Sequence, residues 1–376
     1  MSDTRPFLNT GTPNTPSSPR APLQPAVEPL RLPEPRELVK STARAALAAA
    51  FRGVQPDNRE RFTRAPDKLA LKRLYYRTED GWQAPLFQLE PLPGASGEPL
   101  VLLHDLGVNR HSLDFGEGLS LARSLRLAGY TVYLLEHRGD RSAIPPERPL
   151  PYDFDTLVGQ DLPCAIDLVL EHSGFSKVIA VGHSFGGQLL YAHAAHSRGA
   201  DLAALVTLGA AVEFQAPASQ ARALRLVSHL LPAGLTLPLR AASVLSSPSA
   251  AADGRCAGEV RRGLLVHGSE DLSLGLARQV LRWLETGHLV DRDDRVDYVE
   301  ALAGLRVPTM VVASQGDPWC RPEQAVPVLE RLAGPTRLLE LDRSWGHFDA
   351  LLAEQAPERV HRPLVEFIEA YRRDCW

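Results

Sequence analysis

The sequence predicts an α/β fold, a mostly parallel central sheet covered by helices on both faces. Three observations lead there. Short apolar runs at 100–103, 131–135, 178–182, 204–208, 308–313 and 337–341 read as buried strands and alternate with stretches of helical spacing. Strands hidden on both faces in such an alternation belong to a parallel sheet. Second, Val178-Ile179-Ala180-Val181 ends abruptly in Gly182-His183-Ser184-Phe185-Gly186, with Gly187 behind it, and Gln188-Leu189-Leu190-Tyr191-Ala192-His193-Ala194-Ala195 continues as a helix. A strand that turns this sharply into a helix and lifts out a serine needs small residues two before and two after it, because side chains there would collide with neighbouring backbone. Third, a chain of 376 residues, 44% hydrophobic and 23% charged, can bury a sizeable core and carry an insertion.

The elements follow in order. Residues 1–35 are rich in Pro, Ser, Thr and Asn and poor in large apolar side chains, a composition expected to give a disordered tail. Residues 36–60 are expected to be a helix and linker. Glu37 to Arg52 has Ala-rich helical spacing with Lys40, Arg44 and Arg52, and is read as a solvated helix packed on the domain in preference to a membrane-surface role. The first part of the core, 61–210, opens with a hairpin of 69–76 and 82–89 around Glu79-Asp80-Gly81. After the strand at 204–208 the strand-helix rhythm stops, and 211–303 is expected to be a mainly helical cap. Helical spacing recurs there at 221–231 and 274–284, and turn formers at 245–250 divide the region. Leu224, Leu226, Val227, Leu230 and Leu231 are expected either to suit an uncharged substrate or to pack the cap on the core. Residues 304–376 complete the core.

A serine hydroxyl is a poor nucleophile until a histidine takes its proton, and that histidine needs a carboxylate to fix its tautomer and stabilise its charge. For Ser184 both are sought downstream, in the order serine, acid, histidine. The buried-strand pattern at 307–314 is followed by Gln315-Gly316-Asp317-Pro318, which makes Asp317 the acid, although Gly-Asp-Pro is also ordinary turn chemistry. The strand at 338–341 is followed by Trp345-Gly346-His347-Phe348, which makes His347 the base, one strand-helix-strand unit later. Of the other histidines, His193 and His196 fall on the helix behind the elbow, His229, His267 and His288 in the cap, and His361 in the terminal helix. Asp271, Asp291, Asp293 and Asp294 lack a core strand in front of them.

With these motifs in view, the chain resembles the α/β-hydrolase superfamily of serine hydrolases from about Pro99 to Tyr371. Elbow, acid and base carry the resemblance together with Leu100-Val101-Leu102-Leu103-His104-Asp105-Leu106-Gly107, which is similar to the strand and His-Gly loop that supplies the oxyanion hole. The resemblance implies an α/β-hydrolase fold with a mainly helical cap insertion, catalytic Ser184, Asp317 and His347, elbow glycines Gly182 and Gly186, and oxyanion-hole donors at the backbone N–H of Leu106 and Phe185. It implies no cofactor and no metal. Asp105 departs from the family pattern, which has glycine there. Turned inward, its charge would weaken the hole; turned outward, it would cap nearby N–H groups or pair with Arg110, and the outward arrangement is the expectation. Tyr152-Asp153-Phe154-Asp155 and Gln160 to Asp167 are similar to acid-lipase-like members. Ser120 to Gly139 and Val108-Asn109-Arg110 resemble both those lipases and polyhydroxyalkanoate-synthase-like members. The synthases carry cysteine at the elbow, so Ser184 favours transfer to water.

The implied function is that of a serine hydrolase, an esterase or lipase-like enzyme that cleaves a carboxylic ester with an apolar acyl group through an acyl-enzyme on Ser184. An acyltransferase using the same residues and a non-catalytic binding protein on the same fold stay open. A formal charge of −4 provides no basic footprint for nucleic acid. Cysteines at 164, 256, 320 and 375 show neither paired spacing nor a metal pattern, which points to a reduced cytoplasm. No apolar run approaches the ~18 residues of a membrane span, and residues 1–20 hold no hydrophobic targeting core.

Overall fold

The computed structural model describes residues 66, 71–214, 218–240 and 255–371. The expected tail, the helix and linker at 36–60, residues 69–70 of the hairpin, the break at 245–250 and Cys375 lie outside the described residues.

The principal elements are β1 (Lys72–Arg77), β2 (Gln83–Leu89), β3 (Pro99–Leu103), α1 (Leu121–Leu127), β4 (Thr131–Leu135), α2 (Leu162–Ser173), β5 (Val178–His183), α3 (Phe185–Ser197), β6 (Leu202–Leu208), α4 (Ala218–His229), α5 (Gly258–Gly268), α6 (Leu274–Thr286), β7 (Thr309–Ser314), β8 (Thr336–Leu341) and α7 (Arg362–Tyr371). All eight strands form one sheet in the order β1-β2-β4-β3-β5-β6-β7-β8. The hairpin β1–β2 and the β2–β4 pair are antiparallel, and every pair from β4 to β8 is parallel. This is the α/β-hydrolase fold, with strands within a residue or two of the apolar runs in the sequence.

Every residue of β3, β4, β5 and β6 is buried. Alternate side chains serve opposite layers: Val101 and Leu103 pack with Ile166 and Leu189 on one face, Leu100 and Leu102 with Leu125, Leu364 and Phe367 on the other. Fully burying one such side chain contributes on the order of 2 kcal/mol, so the two layers hold the central strands in fixed register. In that register Leu103 lies beside Gly182 and Gly182 beside Thr207. Because β3, β5, β6, β7 and β8 run parallel, the loops after them open at one edge of the sheet, the usual place for a site in such folds.

Helices α4, α5 and α6 fall between β6 and β7. The helix α5 was not marked by sequence spacing; Gly258, Gly263 and Gly268 dilute its pattern, while Val260 and Leu264 bury its inner face. Arg222 and Arg225 of α4 pair with Glu285 of α6. Leu224, Leu226, Val227 and Leu230 point outward, Leu230 being 82% exposed, so these four do not pack the segment on the core; Leu231 is half-buried. The insertion is stitched to the loop after β3: Glu270 N donates to Gly107 O at 2.8 Å and Asn109 N to Gly268 O at 2.8 Å. Glu270 also accepts from the Asn109 side chain at 2.7 Å and from Arg141 at 2.6 Å. Cys164, Cys256 and Cys320 are free thiols. Among the described residues no helix is long and apolar enough to cross a membrane.

Candidate active site

Ser184 stands between β5 and α3 with φ 50° and ψ −114°, a conformation that a non-glycine residue holds only when its surroundings impose it. The imposition is visible in the flanking glycines. A Cβ on Gly182 would lie 2.5 Å from the backbone of Gly186 and Gly187, and one on Gly186 would lie 2.5 Å from the carbonyl oxygen of Leu103. The demand is for close approach of backbone. Ser184 N donates to Leu208 O at 2.8 Å, which ties the turn to the neighbouring strand.

Asp317 follows β7 and His347 follows β8. His347 Nδ1 donates to Asp317 Oδ2 at 2.7 Å, and Asp317 Oδ1 accepts from Trp319 N at 2.8 Å and Cys320 N at 3.1 Å. The carboxylate is thus held on both oxygens while it orients the ring. His183, the residue before the serine, donates from Nε2 to His347 O at 2.9 Å, and the two rings lie 4.6 Å apart. Burial first, then the charge of His347, lowers the pKa of His183 to about 4, so it is neutral. Asp349 accepts from Gly346 N at 2.6 Å and from Cys256 N at 2.8 Å, which fixes the loop that carries His347. Neither His183 nor Asp349 stands out in the sequence, since each acts through a backbone contact that no spacing rule encodes.

Asp105 turns inward. The expected outward arrangement and the Arg110 partnership are not found: Arg110 faces Glu136 at 3.7 Å and stacks over the Phe87 ring. Instead Asp105 Oδ1 accepts from Leu106 N at 2.7 Å and from Phe185 N at 3.2 Å, while Asp105 Oδ2 accepts from His347 Nε2 at 3.2 Å. The reason is electrostatic. Two converging N–H groups, one of them at the positive N-terminus of α3, and a nearby imidazole attract a carboxylate more strongly than one guanidinium already engaged with Glu136 and Phe87 does. Among the described residues no hydrogen bond joins Ser184 to His347.

The charges agree with this picture. Burial alone would lower the pKa of His347, but hydrogen bonds to Asp105 and Asp317 and the charges of both push it up to about 10. Burial alone would raise that of Asp105, yet the hydrogen bond and charge of His347 hold it well below the usual carboxylate range. One donor atom each from Asp105, His183 and His347 lies within 4.8 Å of the other two, a grouping of a kind that can hold a metal ion and that the sequence did not suggest.

Comparison with known proteins agrees with the fold. The solved structure of a monoacylglycerol lipase from Paleococcus ferrophilus superposes with a TM-score of 0.54 at 20% identity, over 81% of this chain and 100% of that one. An esterase from Exiguobacterium antarcticum does so at 0.55 and 19%, over 79% and 100%. A thioesterase domain from the curacin biosynthetic pathway gives 0.53 and 17%, over 80% and 100%. No curated protein matches the sequence. The family described as serine aminopeptidase, S33, matches residues 98–348, a span that runs from β3 through His347 and well exceeds half of the chain, and to that family of α/β-hydrolases this protein belongs.

Proposed function

We propose that the protein is a serine hydrolase that cleaves a carboxylic ester through an acyl-enzyme on Ser184. The observation that carries this reading is the strained Ser184 elbow together with an imidazole, on the loop bonded to the neighbouring His183, whose Nδ1 is bonded to a buried carboxylate at 2.7 Å. Family membership and the lipase, esterase and thioesterase among its structural neighbours support the same chemistry.

In this scheme Ser184 Oγ adds to the ester carbonyl carbon and its proton passes to His347 Nε2, with Asp317 holding the ring and stabilising the imidazolium. The carbonyl oxygen becomes an oxyanion held by the N–H groups of Leu106 and Phe185. Collapse expels the alcohol, which takes the proton from His347. Water then adds to the acyl-enzyme by the same route and releases the acid. The helices between β6 and β7 act as the cap over the acyl group, and the free thiols suit a reducing compartment. The inward Asp105 is the one feature that favours a second reading, a binding protein on a hydrolase scaffold.

Labelling with a fluorophosphonate probe, which reports an activated serine without knowledge of the substrate, followed by p-nitrophenyl esters of rising chain length, tests the proposal. Labelling that Ser184→Ala abolishes is the expected result. Unchanged labelling of Ser184→Ala would mean that another residue is the nucleophile.

A further inference from the structure

We infer that Asp105 is a built-in ligand of the oxyanion position: its carboxylate takes both N–H donors and the proton-accepting nitrogen of His347, so the resting protein holds Ser184 inactive until Asp105 withdraws. This rests on the serine-hydrolase reading and adds to it the control of the site.

The carboxylate blocks two parts of the chemistry at once. Asp105 Oδ1 lies 2.7 Å and 3.2 Å from the N–H groups of Leu106 and Phe185, the spacing at which such donors hold a developing oxyanion. A substrate carbonyl that enters has no donor to meet. Asp105 Oδ2 lies 3.2 Å from His347 Nε2 and Asp317 Oδ2 lies 2.7 Å from His347 Nδ1. A ring with a carboxylate on each nitrogen carries both protons. That imidazolium has no lone pair for the Ser184 proton.

A merely local cap would satisfy Leu106 N alone. The bond to Phe185 N spans 80 positions and that to His347 spans 242, so the carboxylate is engaged by three separate parts of the chain. The other groups facing it do not relieve the block. His183 at the end of β5 is neutral, and burial holds His137 after β4 well below its ordinary pKa. A route out exists, since the Asp105 side chain keeps 15% of its surface in solvent. The backbone stays behind, pinned through Gly107 and Asn109 to the insertion, so withdrawal is a side-chain rotation. A neutral ester carbonyl competes poorly against a tethered carboxylate for these donors.

The test compares wild type, Asp105→Gly, Asp105→Asn and Ser184→Ala. At pH 7 the fluorophosphonate should label Asp105→Gly at least about tenfold faster than wild type, and the labelling should vanish in Asp105→Gly/Ser184→Ala. Imidazole ¹⁵N NMR, with the His347 signal assigned by His347→Gln, provides a readout apart from reactivity. The His347 midpoint should be alkaline in wild type and should fall by about 1–3 pH units in Asp105→Asn, which keeps the shape of the side chain and removes its charge. Wild type labelled as fast as Asp105→Gly, or a His347 midpoint unmoved in Asp105→Asn, would overturn the inference and leave the hydrolase reading standing. Failure of folded Asp105→Gly to label at all would overturn both.

Discussion

At the scale of single residues, three side chains from three loops are asked to act as a unit, which sets how their removal should look. In the Asp105→Gly background, where turnover is unobstructed, Ser184→Ala and His347→Ala should each lower esterase activity by at least ~10³-fold and the two losses should not add. Asp317→Asn should be severe and smaller, because the ring keeps its place against His183 and loses only its tautomer control. Steady-state kinetics on a p-nitrophenyl ester decides this, and a silent Asp317→Asn would assign the orienting role to another carboxylate. Ser184 and the order serine, acid, histidine are legible in the sequence because glycine at fixed distance and a polar residue after an apolar run are local patterns. The direction of Asp105 is not, since its partners are brought to it only by folding.

At the scale of elements, the elbow and the loop after β3 depend on backbone contact more than on side chains. Gly186→Ala would drive a Cβ to 2.5 Å from Leu103 O, and neither strand nor helix can yield there without losing register. A cost of at least ~2 kcal/mol is expected, seen as a lower urea midpoint with unchanged slope. The loop after β3 is held by Glu270, which accepts from Asn109 and Arg141 inside the protein. Glu270→Ala leaves the buried Asn109 side chain without that acceptor, at about 1–3 kcal/mol, while the exposed Arg141 can turn to water. Hydrogen exchange should then quicken at Gly107 to Asn109 and at Gly268 to Glu270 together; exchange that quickens on one side only would show that the two segments are not coupled. Strand positions were readable because both faces are apolar, whereas α5 was not, since three glycines within it mask the spacing.

For the molecule as a whole, the buried imidazolium links stability to pH. The folded pKa of His347, about 10, lies above its ordinary value of 6.5, so the stabilisation is fully present below pH 6.5, shrinks as pH rises, and is lost above pH 10. It amounts to a few kcal/mol, about 1.4 kcal/mol for each pH unit between the two values. Urea unfolding of wild type and His347→Gln at pH 7 and pH 10 isolates the contribution: the gap between the two proteins should narrow at the higher pH. A gap that is constant would place the folded pKa of His347 near its ordinary value and the proton elsewhere.

The sequence by itself determined the parallel sheet, the elbow and the candidate residues Ser184, Asp317 and His347, because each leaves a short-range trace: an apolar run, paired glycines, a polar turn after a strand. Only the tertiary structure decided what those residues face. Leu224, Leu226, Val227 and Leu230 lie outward while Ala221 and Ser228 take the buried side of the segment, and His183 buttresses His347 through a backbone oxygen 164 positions away. Asp105 reads in the chain as a departure from a glycine pattern and nothing more. The sheet order sets β3 beside β5, which brings the N–H of Phe185 to its carboxylate, and the loop after β8 brings His347. A side chain points where the field of its assembled neighbours sends it, and those neighbours are remote in sequence.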